Sequence, residues 1–161
     1  MQLLASPVHR FEGRPVDGPA PAPPGELVEE VQIRAGLGIV GDRYFGNPAH
    51  REAAVTVIAA ESLPSGADLT HVRRNILLRG VDVDALVGSI LVLDSGDGPV
   101  RLAIRRAANP CAWMDVTIGP GAWRSLRGKG GVRCTPLNDG TLRVGPVTAA
   151  IDATPDDSTG I

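Results

Sequence analysis

At 161 residues, with 43 % apolar and 21 % charged residues, the chain is long enough for one domain with a real hydrophobic core. A formal charge of −2 argues against general binding to nucleic acid or to a membrane surface, since both need a basic excess. Aromatics are scarce at 3 %, so Val, Leu, Ile and Ala must fill the core, while 20 glycines and 14 prolines point to many turns and few long helices.

Residues 1–12 read as a short strand (Leu3, Leu4) and a turn. Met1 to Ala5 is too short for a signal-peptide core and has no basic segment before it, and no apolar run approaches the roughly 20 residues that span a bilayer, so the expected location is the cytoplasm. Residues 13–25 carry five prolines among small residues and read as an extended loop without helix. Leu27 to Ile33 reads as a strand, followed by a charged turn at Gly41-Asp42-Arg43. Ala53 to Ala60 is a continuous apolar run rich in β-branched residues, the pattern of a strand buried on both faces. Glu61 to Asn75 has broken helical character, with Asp68 as the N-cap of a short helix through Arg73.

From Ile76 onward, strands recur with turn signals roughly every ten residues, as in a sandwich or barrel. They are expected at 76–78, 89–93, 100–106, 132–137, 141–144 and 147–151. Leu102 and Ile104 alternate with Arg101, Ala103 and Arg105, and Leu142 and Val144 with Thr141 and Arg143, so each strand should have one buried and one wet face. Residues 95–98 and 138–140 carry hairpin-turn signals. Gly119 to Arg127 is the other helical segment. The expected organisation is one mainly β, barrel-like domain over residues 1–151 with two or three short helices, then a disordered acidic tail over 152–161.

The chemistry centres on Asn109-Pro110-Cys111-Ala112-Trp113-Met114. A thiolate is both a nucleophile and a soft metal ligand, and it needs a cationic or hydrogen-bonding surround; arginine supplies 15 of the 16 basic residues. A buried, inert cysteine is the plain alternative for Cys111. Arg73-Arg74-Asn75, where helix gives way to strand, suits bidentate capture of a phosphate, or else a solvated pair capping a helix end. At the 41–43 turn, Asp42 could bond backbone amides while Arg43 reaches inward, or the two could form a surface ion pair. The glycine-dense stretch from Arg127 to Arg133 could approach an anion, but it is neither a Walker loop nor a dinucleotide fingerprint. The two cysteines, 23 positions apart, show no metal spacing; their separation leaves open a disulfide, or Cys134 as a resolving thiol. His9, His50 and His71 share no metal spacing either.

Taken in order, several pieces resemble the MOSC domain, named for the C-terminal domain of molybdenum cofactor sulfurase. They are Gly38 to Arg43, Ala54 to Glu61, Arg73-Arg74-Asn75-Ile76 with Leu86-Val87-Gly88, Pro110-Cys111 with Met114, Arg127-Gly128 with Gly130-Gly131-Val132, and Gly140 to Gly145. Three departures stand out: Tyr44 where a histidine often follows Gly-Asp-Arg, Val72 where a hydroxyl residue often precedes the arginine, and Pro146 in place of an aspartate. The resemblance implies a β-barrel that binds the molybdopterin form of molybdenum cofactor. Cys111 would be the ligand to molybdenum or a sulfur carrier, with Arg73 and Asn75 holding pterin and phosphate and Arg43, Asp42, Arg127 and Arg74 around them.

Three functions follow from that resemblance. One is a small molybdenum-dependent oxidoreductase that reduces N-hydroxylated compounds with electrons from a partner protein. Another is a carrier of a Cys111 persulfide, loaded in trans by a cysteine desulfurase because pyridoxal phosphate is not expected in this chain. The last is a non-catalytic cofactor-binding module.

Overall fold

Short runs of β-branched and apolar residues, each ended by glycine, proline or an aspartate turn, become strands. In the computed structural model, which describes residues 1–153, these are β1 (Gln2–Leu3), β2 (Glu30–Arg34), β3 (Gly38–Ile39), β4 (Val55–Ala59), β5 (Ile76–Leu78), β6 (Ile90–Asp94), β7 (Val100–Ala107), β8 (Val132–Pro136), β9 (Gly140–Arg143) and β10 (Thr148–Asp152). Three short helices complete the described residues: α1 (Leu69–Val72), α2 (Trp113–Thr117) and α3 (Ala122–Ser125). The protein is mainly β, as the sequence predicts.

Seven strands form one curled, half-barrel sheet in the order β1-β5-β4-β8-β7-β6-β10, and β3-β2-β9 form a second sheet. Neighbours pair antiparallel except β4 and β5, which run parallel; that pair requires a crossover, and the crossover carries α1. The two sheets share one core, in which Val31, Ile33 and Leu142 from the smaller sheet meet Val57, Leu91 and Leu102 from the larger.

The larger sheet is covered on its outer face too. Residues alternate sides along a strand, so Val55, Val57 and Ala59 of β4 enter the shared core while Ile58 joins a second cluster with Leu69, Val72, Trp113, Met114 and Leu126 from the helices. This double burial is why β4 is buried at every position. Asp68 caps α1 in a reciprocal capping box with His71.

Several expectations are corrected. The proline-rich loop contains a single 3-10 turn at Pro15–Asp17. The strand expected from Leu27 begins at Glu30, leaving Leu27 in an isolated bridge to Leu4. The sequence reading has no helix over 113–117; five residues give too short an apolar period to detect, and the outer-face packing holds α2 in place. Residues 138–140 are not a hairpin turn, because β8 and β9 belong to different sheets. Ala103 is buried rather than wet, since the outer face of β7 is partly covered, and Val144 lies beyond β9 and is exposed. Asp152 pairs with Ile90 in β10; the rest of the expected tail, from residue 154, lies outside the described residues.

Two glycines fix the approach of β8 to its neighbours. A Cβ on Gly131 would lie 2.3 Å from the Val57 carbonyl oxygen, and one on Gly130 would lie 2.5 Å from that of Ala108. Gly131→Ala should therefore destabilise the protein by about 3 kcal/mol or more, because the clash is with backbone and φ is positive. Gly128→Ala, which meets open space at a similar φ, should cost only about 1 kcal/mol. Urea unfolding of the two variants measures the difference.

Candidate functional site

The pocket lies on the outer face of the larger sheet, at the edge of the second cluster. Antiparallel pairing of β4 with β8 sets Thr56 directly opposite Arg133, and both line it. Arg43, Arg73 and Arg74 form one side, Cys111 comes from the segment leading into α2, and Met114 from α2 itself. His9, Arg10, Phe11, Tyr44 and Asn109 close the remainder of a cavity of about 240 Å³.

Each arginine is held differently. Arg74 is buried and donates to three backbone carbonyls: Nε to Gly130 at 2.9 Å, Nη1 to Val72 at 3.1 Å and Nη2 to Ala108 at 3.1 Å. Burial pulls its pKa from 12.5 down to about 10 and the charge of Arg133 adds to the fall, while Cys111 and Tyr44 oppose it. It therefore stays charged at neutral pH, at a cost of roughly 3 kcal/mol for lost hydration.

Arg73 is the α1 C-cap and, among the described residues, the single non-glycine with positive φ, at 58°. Its Nη1 contacts Glu26 Oε2 at 2.6 Å and its Nη2 donates to the Val8 carbonyl, which ties the amino-terminal arm to the site. Its buried Nε has no hydrogen-bond partner. Burial raises the Glu26 pKa, but hydrogen bonds from Arg73 and Ser6 and the charges of Arg73 and Arg10 outweigh it and hold the carboxylate below its ordinary range.

Arg43 reaches inward, as the turn reading allows. It donates to Asp42 Oδ1 and to the Arg73 carbonyl, and its guanidinium lies over the Tyr44 ring at 4.6 Å. Among the described residues no carboxylate forms an ion pair with Arg10, Arg74 or Arg133, so the pocket carries an excess of positive charge. That is the electrostatics of an anion site.

Cys111 is exposed and Cys134 is buried; both are free thiols. Cys134 points into the shared core from β8, on the opposite side of the sheet from Arg133, and burial pushes its pKa up to about 12. A disulfide or a resolving partnership with Cys111 is ruled out by that sidedness. The plain reading of Cys111 as a buried hydrophobe fits Cys134 instead.

Three residues expected at the site have other tasks. Asn75 is fully buried: its Oδ1 accepts from the Thr56 amide and hydroxyl, and its Nδ2 donates to the Leu4 carbonyl. It joins β1, β4 and β5 and orients Thr56, so no part of it lines the pocket. Asp42 accepts from the amides of Ser6 and Tyr44 and shapes the turn beneath Arg43. Arg127 is exposed beside Trp123, away from the pocket. The glycine stretch is equally structural: Gly131 donates to Asp84, and Gly130 and Gly131 offer carbonyls to Arg74 and Ala108. Of the glycine stretch that the sequence offers to an anion, only Arg133 lines the pocket, and the residues missed in the sequence are Thr56, His9, Arg10 and Phe11. Only the register of β4 against β8 and the path of the arm bring them here.

No family profile matches the chain, and no curated protein matches it in sequence. Solved structures do resemble it in fold. The YUAD protein from Bacillus subtilis superimposes with a TM-score of 0.72 over 95 % of this chain and 94 % of that one, at 16 % identity. A crystal structure of a hypothetical protein gives a TM-score of 0.55 at 15 % identity, covering 94 % of this chain and 64 % of the other. At such identities the likeness concerns the fold alone.

The two thiols should separate cleanly by reactivity. A chromogenic disulfide reagent should label one thiol in the native protein and two in guanidinium, and Cys111→Ser should abolish the native reaction. Labelling of two native thiols would contradict the placement of Cys134.

Proposed function

We propose that the pocket binds the molybdopterin form of molybdenum cofactor, with the Cys111 thiolate as protein ligand to molybdenum, and that the protein is a small MOSC-type oxidoreductase. The observation carrying this reading is the convergence of an exposed thiol and five arginines (Arg10, Arg43, Arg73, Arg74 and Arg133) in one cavity, three of them without a carboxylate ion pair among the described residues. A phosphate dianion calls for guanidinium groups, and a soft metal calls for thiolate. The donor set fits the group. Arg73 retains a buried Nε–H without an acceptor, so the wall has hydrogen-bonding capacity that the protein itself leaves unused.

Arg43, Arg73 and Arg133 would hold the phosphate, with Arg74 contributing charge from behind while its donors remain on carbonyls. Phe11 stacks on Trp113 at 5.2 Å and gives a flat apolar wall for a fused ring. A cavity of about 240 Å³ lies below the usual small-molecule range of roughly 300–1,000 Å³, so part of the ligand would extend beyond its mouth. When bound, the group supplies oxygen-atom-transfer chemistry, here the reduction of N-hydroxylated compounds with electrons from a partner protein. The chain's own residues bind and orient it and place Cys111 at an open edge.

The exposure of Cys111 also favours a second reading, in which it carries a persulfide between a desulfurase partner and the cofactor of another enzyme. Metal and pterin content decide between them. The native protein and Cys111→Ser, both produced in a host that makes the cofactor, should differ in molybdenum: near-stoichiometric in the first and lost in the second. Pterin absent from both would overturn the proposal, and a sulfane-sulfur assay would then separate a carrier from a plain structural module.

A further inference from the structure

The pocket has two unlike ends. Cys111 lies just before α2 and Met114 within it, and Phe11 is held to that side by its stacking on Trp113. A thioether and a ring beside a thiol make a polarisable, apolar lining. The guanidiniums come from elsewhere: Arg133 from β8, Arg73 and Arg74 from the link between α1 and β5, and Arg43 from the 41–43 turn. Arg73 is only 4 % exposed and its Nε has no partner, while Arg133 makes no side-chain hydrogen bond or ion pair among the described residues. Thiol and charge are within electrostatic reach of each other, because Cys111 favours the charged form of Arg74.

A cavity of about 240 Å³ encloses a small anion whole. Thiosulfate has the polarity of this cavity, with a soft, polarisable sulfane sulfur at one end and charged sulfonate oxygens at the other. Guanidiniums bind such oxyanions as they bind phosphate. The thiol is exposed, so a sulfur placed on it stays open to an acceptor.

We propose that the cofactor-free protein is a sulfurtransferase that loads Cys111 directly from thiosulfate-type donors, small anions in which a sulfane sulfur is bonded to a sulfonate leaving group. This rests on the carrier reading of Cys111 and names the donor, which that reading assigns to a desulfurase partner. With molybdenum cofactor bound, the same thiol and guanidiniums are occupied and the transfer is silent. In the free protein the Cys111 thiolate attacks the sulfane sulfur. A bond forms between Sγ and that sulfur, the sulfur–sulfur bond of thiosulfate breaks, and sulfite leaves with the electron pair. Cys111 keeps a persulfide, and no outside oxidant or reductant enters. Charge builds on the departing sulfite, where guanidiniums already in place stabilise it most.

The test follows thiocyanate formation from thiosulfate and cyanide by the full chain, made in a host without the molybdenum cofactor. Cyanide takes the outer sulfur of the persulfide and restores the Cys111 thiolate. Native protein should turn over, and after thiosulfate alone its intact mass should show an added sulfur atom; Cys111→Ser should do neither. Arg133→Gln should lower kcat/KM for thiosulfate about tenfold or more, chiefly through KM, while its alkylation by neutral iodoacetamide changes less than about twofold. That second readout shows a folded variant with its thiol accessible. Sulfur taken by Cys111 from inorganic polysulfide but not from thiosulfate would overturn the donor and leave the carrier reading standing. No sulfur from either would overturn both. Turnover that survives in Cys111→Ser, or an unchanged kcat/KM in Arg133→Gln, would also overturn the proposal.

Discussion

The Arg74 guanidinium is the interaction on which the site depends. It is buried without a carboxylate and spends its donors on three carbonyls: Val72 at the end of α1, Ala108 beyond β7 and Gly130 before β8. These belong to three segments distant in sequence, each of which carries a residue of the pocket. A lysine could not reach all three, because its ammonium is a point charge where guanidinium is a rigid fork. Keeping that charge out of water costs roughly 3 kcal/mol, and the same buried charge gives the cavity its attraction for an anion. Structure and function therefore draw on one group.

The second constraint is the double use of the larger sheet. Its inner face meets the three-stranded sheet, and its outer face carries the helices and the pocket. Sidedness then sorts the chemistry: Arg133 and Cys134 are adjacent in sequence, yet one faces ligand space and the other the core. The glycines before β8 serve this arrangement by letting Ala108 and Val57 come close, which brings the Cys111 segment against the sheet.

Much of the fold was legible in the sequence because strand signals are local. The β-branched run at 53–60, the Asp68 cap and the strand at 76–78 needed no tertiary information. The second sheet was not legible, since the pairing of β2 with β9 joins residues more than a hundred positions apart. At the site, Cys111, Arg43, Arg73 and Arg74 were readable as residue types seeking an anion or a soft ligand, and the structure gathers all four. Asn75 and Asp42 misled because a polar residue at a strand end looks the same whether it serves a ligand or a neighbouring backbone. Arg133 was legible only as one of several charges that a glycine-rich stretch could bring to an anion, and only the register of β8 shows where it points.

The central claim is that one pocket unites a metal-binding thiolate with a guanidinium anion site, and anomalous diffraction tests it most directly. Crystals of protein produced in a cofactor-making host, measured above and below the molybdenum absorption edge, should show one difference peak at bonding distance from the Cys111 sulfur, with ligand density running toward Arg73 and Arg133. A molybdenum peak elsewhere on the protein, or none at full cofactor supply, would contradict the account.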